Sequence, residues 1–277
     1  MFRILLLALL VSCVPGAKQS VTSGGAANPN APSRWPLGVF PKTMKFSNQF
    51  TTAELDELQD AAVSWTTHAG AGTTFISSSK APGSLVADRS GVANLDSLLD
   101  GVFAVYKATT WNNDLPDSAL AVTQIFGVRH NSGDADEYVE IVEGDILVNY
   151  DDFPFLPEES GGYDLFTVMI HENGHFLGLN HNYNFNSVMY PSIGYSTFYI
   201  KPGSYDISTI QSKYGLGGGG AGPAAARRIA SVETAAVRDD VLKSGKGVRI
   251  TLELHAHGEC VHKVDGTRVG SHPVKLK

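Results

Sequence analysis

Apolar positions along the middle of this 277-residue chain switch between a helical period and short strand-like runs. Leu55, Leu58, Ala62 and Trp65 recur at helical spacing behind Thr51-Thr52-Ala53-Glu54, a capping box whose hydroxyl and carboxylate can satisfy the first free amides of a helix. A helix is therefore predicted there, with those four side chains turned to a core. Strands are predicted at Met44 to Phe46, Thr73 to Ile76, Val102 to Tyr106, Leu120 to Phe126 and Ile146 to Val148. From Tyr163 to Ile170 the chain is strongly apolar behind a capping Asp164, which predicts a second, buried helix. A third is predicted before Gly215, with Asp206 near its start and Ile207, Ile210 and Tyr214 on one face. Together these elements imply one α/β (α+β) domain over residues 34–215, built on a mixed twisted sheet.

The second helix carries candidate chemistry. His171 to His181 reads H-E-x-x-H-x-x-G-x-x-H. On a helix His171 and His175 project from one face, so both rings can reach one metal ion. Gly178 can adopt positive φ at little cost, which lets the chain turn and bring His181 to the same ion. Three protein ligands leave a fourth zinc position for water, the arrangement of a catalytic site. Glu172, beside the first ligand, is the candidate general base. Five specified positions within eleven residues make a chance histidine-rich helix a poor alternative.

Beyond His181 comes Ser187-Val188-Met189-Tyr190-Pro191, and with the zinc motif this resembles the Met-turn of the metzincin metalloproteases, most closely the matrixins and their bacterial members. The resemblance implies a zincin-like catalytic domain with an active-site helix and a C-terminal helix, one catalytic zinc, and hydrolysis of protein or peptide substrates. It implies that Met189 forms an apolar floor beneath the ligand imidazoles and that residues 193 to 199 wall a substrate side-chain pocket. Other metzincins carry a tyrosine two residues after the methionine; Pro191 stands there, so Tyr190 is not expected to bind metal. In bacterial relatives the strand bordering the substrate cleft resembles Gly144 to Asn149, which can equally be read as a plain edge strand. His68 and His130 do not match the spacing of a second zinc site. Calcium is a candidate at Asp134, Asp136, Asp151 or Asp152, although no calcium-loop spacing is present and solvated turns account for these residues.

The N-terminus adds a location. Met1-Phe2-Arg3 precedes an apolar run from Ile4 to Val11, too short for the roughly 20 residues of a spanning helix and suited to a signal peptide over 1–12. Leu10-Val11-Ser12-Cys13 resembles a bacterial lipobox, so Cys13 is the candidate lipidation site and the protein is expected to be exported and anchored to the cell envelope membrane. An ordinary signal peptide cut near Ala17, giving a secreted protein, is the alternative. Residues 13–33 are rich in Ser, Gly, Ala, Asn and Pro, as in a solvated tether, and nothing there resembles a cysteine-switch prodomain. With only two cysteines, lipidation of Cys13 would leave Cys260 without an intrachain partner.

Residues 216–225 read as a glycine-rich linker, and the charge changes across it. Residues 1–215 carry 11 Lys+Arg against 22 Asp+Glu, whereas 216–277 carry 10 against 6. The region 226–277 is thus expected to be a small basic, β-rich tail. Val248, Ile250, Leu252 and Leu254 alternate as in a half-buried strand, and Asp265-Gly266 suits a hairpin turn. His255, His257, Cys260 and His262 form H-x-H-x-x-C-x-H, readable as a metal site or a zinc-blocking cysteine, but more simply as polar positions of a strand. Ten scattered basic residues make no nucleic-acid signature. Two function classes follow: a lipid-anchored zinc endopeptidase, or an envelope adhesion or binding protein on the same scaffold. Retention of Glu172 favours the enzyme, because a scaffold has no need of the carboxylate.

Overall fold

A computed structural model describes residues 31–157, 161–195, 197–216, 247–256 and 259–273; for 259–262 and 268–273 only the backbone is described. The signal peptide, Cys13, most of the expected tether, residues 217–225 of the linker, and His257 lie outside the described residues, as do the side chains of Cys260 and His262.

The strands are β1 (Ser33–Arg34), β2 (Lys42–Phe46), β3 (Ile76–Ser78), β4 (Ala104–Ala108), β5 (Ala119–His130), β6 (Tyr138–Asn149), β7 (Phe155–Leu156), β8 (Tyr163–Asp164), β9 (Gly247–His255), β10 (Glu259–Val264) and β11 (Thr267–Pro273). The helices are α1 (Thr52–Ala69), α2 (Leu165–Phe176) and α3 (Ser204–Tyr214). Strands β3, β2, β4, β6 and β5 lie side by side in that order; β5 alone among them runs antiparallel to its neighbour. This is the mixed α/β architecture expected from the sequence. Strand β1 pairs in parallel with the far end of β6, so packing begins at the buried Ala31 and Ser33, upstream of Arg34.

Helix α1 begins as its sequence requires: Thr51 Oγ1 accepts from the Glu54 amide at 3.3 Å and the Glu54 carboxylate accepts from the Thr51 amide at 2.8 Å. Its apolar face, with Leu55, Leu58, Ala62 and Trp65, is buried against α2 and the sheet. Trp65 Nε1–H donates to the Ile170 carbonyl at 2.9 Å, which fixes the two helices against each other. Asp164 caps α2 through the Thr167 amide at 2.9 Å. At its other end the carbonyls of Phe176 and Leu177 accept from Trp35 Nε1 at 2.7 Å and Tyr214 Oη at 2.8 Å. Acceptors at a helix C-terminus have no partner within the helix, so these two aromatic donors finish it inside the core.

Two sequence expectations change. Gly144 to Asn149 is not an edge: β6 runs on to Asn149 with β4 on one side and β5 on the other. Strand β5 is the outer strand of the five. The other change concerns the tail: β9 lies antiparallel along β5 from Ala119↔His255 to Val128↔Gly247, continuing the main sheet. Its hairpin partners β10 and β11 turn at Asp265-Gly266, both at positive φ, as the Asp-Gly pair requires.

Candidate metal centre and cleft

Helix α2 is buried at every position except Phe166, which is half-buried, so its polar side chains in the metal motif are held in the interior rather than in water. His171, Glu172 and His175 have no exposed surface. Gly178, at φ +84°, ends the helix and swings the chain back. An added Cβ there would meet the Ser33 carbonyl oxygen at 2.3 Å, so both the dihedral and the close approach of β1 call for glycine. The turn delivers His181. Ring nitrogens of the three histidines converge, with Nε2 atoms of His171 and His175 2.9 Å apart and those of His175 and His181 3.1 Å apart.

The orientation of two rings is fixed from behind. His171 Nδ1 lies 2.7 Å from the Val188 carbonyl and His175 Nδ1 lies 2.7 Å from the Leu179 carbonyl. A carbonyl only accepts, so each Nδ1 bears the proton and each Nε2 presents a bare lone pair to the others. Lone pairs at that spacing repel unless a cation lies among them. Zinc at about 2.0–2.1 Å from each nitrogen sets tetrahedral nitrogens roughly 3.3 Å apart, close to the distances found. Burial, then the neighbouring His175, holds the His171 imidazole well below the usual histidine range, in the neutral form a metal needs. Among the described residues no other group of three His, Cys, Asp or Glu side chains comes together in this way.

Glu172 faces the sheet. Thr123 of β5 donates its hydroxyl to Glu172 Oε2, and Oε1 is buried with no hydrogen-bond partner among the described residues. Burial pushes the carboxyl up to about 8, against the Thr123 hydrogen bond and helped by the charge of Glu253. Met189 lies under the site, its sulfur against Gly174 of α2, where an added Cβ would come within 2.3 Å. Asp206 of α3 holds the turn that carries it, accepting from the Ser187 hydroxyl, from the Val188 amide at 3.0 Å and from the Gly203 amide at 3.0 Å. Tyr190 stacks on Phe185 at 4.6 Å between ring centroids.

The geometry and the Met-turn together match one family, and the comparisons agree: residues 52–215 fit the matrixin family model. The chain belongs to the matrixins. Similar stretches occur in Metalloendoproteinase 1 of Glycine max, 35% identical over 30% of this chain and 24% of the relative, and in the macrophage metalloelastase of Rattus norvegicus, 39% identical over 27% of this chain and 16% of the relative. Human matrix metalloproteinase-26 is 40% identical over 25% of this chain and 27% of its own length. The matched stretches thus span about a quarter or less of these relatives.

Sequence reasoning missed Thr123, Asp206 as the anchor of the Met-turn, and the carbonyls of Val188 and Leu179. Three of the four side chains proposed for calcium accept local or cross-chain hydrogen bonds in this matrixin: Asp136 from Asn131 Nδ2 at 2.7 Å, Asp151 from the Trp111 amide at 2.8 Å and Asp152 from Asn149 Nδ2 at 2.9 Å. His130 stacks on Tyr138, and His68 is exposed in the last turn of α1. Of the expected pocket wall, Ile193 is buried, Tyr195 stacks on Tyr163 at 4.2 Å, and Tyr199 donates its hydroxyl to the Ser187 carbonyl at 3.2 Å. In the tail, His255 is buried, with Nε2 3.0 Å from the Glu253 carboxylate and Nδ1 3.0 Å from the Ser118 hydroxyl, and it is not one of the three clustered histidines.

Proposed function

We propose that this matrixin is a zinc-dependent endopeptidase of a bacterial cell envelope, exported by the segment 1–12 and anchored through a lipid on Cys13. The convergence of three Nε2 atoms, on the buried His171 and His175 and the half-buried His181, with two of the rings oriented by Nδ1–carbonyl hydrogen bonds, carries the metal assignment: His171, His175 and His181 would hold the ion. Zinc, when bound, polarises the scissile carbonyl and makes water nucleophilic near neutral pH.

The chain's own groups do the rest. Glu172, whose Oε1 is left without a hydrogen-bond partner among the described residues while Thr123 occupies Oε2, takes the proton of the attacking water and passes it to the leaving amine. Its desolvated carboxylate is a stronger base than a solvated one, and a cation on the histidines moderates the shift. Met189 and Gly174 exclude water beneath the rings. Retention of Glu172 with the full ligand set favours turnover over a binding scaffold.

The test is chelator-sensitive cleavage of a mixed peptide library by the protein and by Glu172→Ala loaded with equal zinc. Cleavage by the parent alone supports the reading; equal cleavage by both would remove Glu172 from it.

A further inference from the structure

The tail strand β9 runs along β5, the strand whose Thr123 holds Glu172. Its first half, around Arg249 to Thr251, is flanked by β5 on one side and the β10–β11 hairpin on the other. Its second half leaves the hairpin and enters a slot between β5 and the segment after the Met-turn. There the His255 amide donates to the Pro191 carbonyl at 3.1 Å and the Ile193 amide donates to the His255 carbonyl at 3.1 Å, a parallel bridge opposite the antiparallel ladder to β5.

Strand addition of this kind supplies affinity through the backbone and selectivity through alternate side chains. Leu252 pairs with Thr123, the residue that holds Glu172, and Leu252, Leu254 and Ala256 pack into the same core as α2, Met189 and Ile193. From Thr251 to Ala256 every residue is buried, including three polar ones, unlike a strand with one wet face. A cavity that does reach His181 and Met189 measures only about 200 Å³.

We propose that residues 251–256 of this chain are a built-in occupant of the peptide groove between β5 and Pro191–Ile193, lying across Glu172 as a substrate would and holding the protein latent. The inference rests on the peptidase reading and extends it. It identifies the ligand class as an extended peptide antiparallel to β5, with an apolar side chain at the Leu254 position. The thirty residues 217–246 join the occupant to the domain. A tether of that order gives an effective concentration on the order of millimolar. For a segment whose own Kd is on the order of 10–100 μM, about 1–10 per cent of molecules would then be open, and apparent affinity for any competitor falls to that fraction of its intrinsic value.

The test uses the zinc-loaded full chain, Leu254→Asp, and a chain cut after folding at a protease site inserted between 217 and 246, then diluted. Binding of a fluorescent peptidyl hydroxamate is followed by anisotropy, and hydrogen exchange of the Ala121–Val128 amides reports the ladder without relying on the metal. The proposal expects about 10–100-fold tighter probe binding and faster β5 exchange in Leu254→Asp and in the cut chain, with added peptide 247–256 reversing both. Equal probe affinity and equal β5 exchange in the full chain and the cut, diluted chain would overturn it. Cleavage of a quenched peptide separates the two readings. A gain in probe binding without turnover keeps the occupant and removes the peptidase, whereas full turnover by the uncut parent keeps the peptidase and removes the occupant.

Discussion

Gly178→Ala tests why the third histidine arrives where it does. Two costs arise at this residue. The first is the dihedral: at φ +84° an alanine pays roughly 1–2 kcal/mol for the left-handed region. The second is contact, because the new Cβ would stand 2.3 Å from the Ser33 carbonyl oxygen, 2.9 Å from its carbon and 3.3 Å from Arg34 Cα, all backbone. Relief needs about 1 Å of movement in β1 or in the turn, and overpacking of this kind costs about 1–3 kcal/mol. The total is about 2–5 kcal/mol, a drop of roughly 4–20 °C for a domain of this size. Gly72→Ala is the control: φ there is +93°, with nothing within 4 Å of an added Cβ, so it carries the dihedral cost alone. Thermal unfolding of the zinc-loaded variants, with zinc affinity from chelator competition, should show Gly178→Ala well below Gly72→Ala and weakened in zinc binding by about tenfold or more. If the two variants melted together with parental zinc affinity, the argument that the turn is set by glycine would be wrong.

Asp206→Ala removes two hydrogen bonds from the Met-turn and one from the Gly203 cap of α3, two of the three being to backbone amides, and should cost about 3–5 kcal/mol in urea unfolding. Because Val188, whose carbonyl orients His171, is one of the residues released, zinc affinity should fall about 10–100-fold; unchanged affinity would disconnect α3 from the metal centre. Chelation should lower the stability, and with it the melting temperature, by about 4 kcal/mol where zinc had been held at a thousand times its Kd, and a melting point indifferent to chelator would count against the site. Asp145 gives a pH signature. Burial, then the Glu143 charge, pushes its carboxyl well above the usual range, so the folded state keeps a proton that the unfolded chain releases. Its contribution to stability is therefore greatest below the ordinary carboxylate pKa and is lost as pH rises through the raised folded value. Asp145→Asn should flatten the stability curve from roughly pH 4 upward, and an unchanged slope would exclude Asp145 as its source.

The parts of the site that the sequence revealed are those built from near neighbours. Helical period brings His171 and His175 to one face, one glycine turn adds His181, and the capping residues Thr51 and Asp164 announce their helices locally. Thr123 lies 49 residues from Glu172, and Asp206 lies 19 from Ser187; no period links such pairs, so they appear only once the sheet and α3 are assembled. Edge identity is likewise a property of strand order. Both β5 and β6 look like strands in sequence, yet pairing with β4 puts Gly144–Asn149 inside the sheet, and β5 is outermost of the five central strands with β9 paired along its other side. The alternation of Val248 to Leu254 correctly suggested a strand but gave no sign of its partner. Its polar alternates Thr251, Glu253 and His255 would suit water, and they are buried because β5 and residues 191–193 close over both sides.

Trp35 and Tyr214 stand near the two ends of the catalytic unit in sequence, and both finish the last turn of the metal-bearing helix, with the Trp35 amide also donating to Tyr214 Oη at 3.3 Å. During synthesis the helix therefore lacks one of its two terminal donors until the chain has grown past residue 214. A nascent or truncated product carrying all three histidines but ending before that tyrosine would present the complete motif on an unfinished helix. The last turn of the metal-bearing helix is thus completed only by a residue at the far end of the matrixin domain.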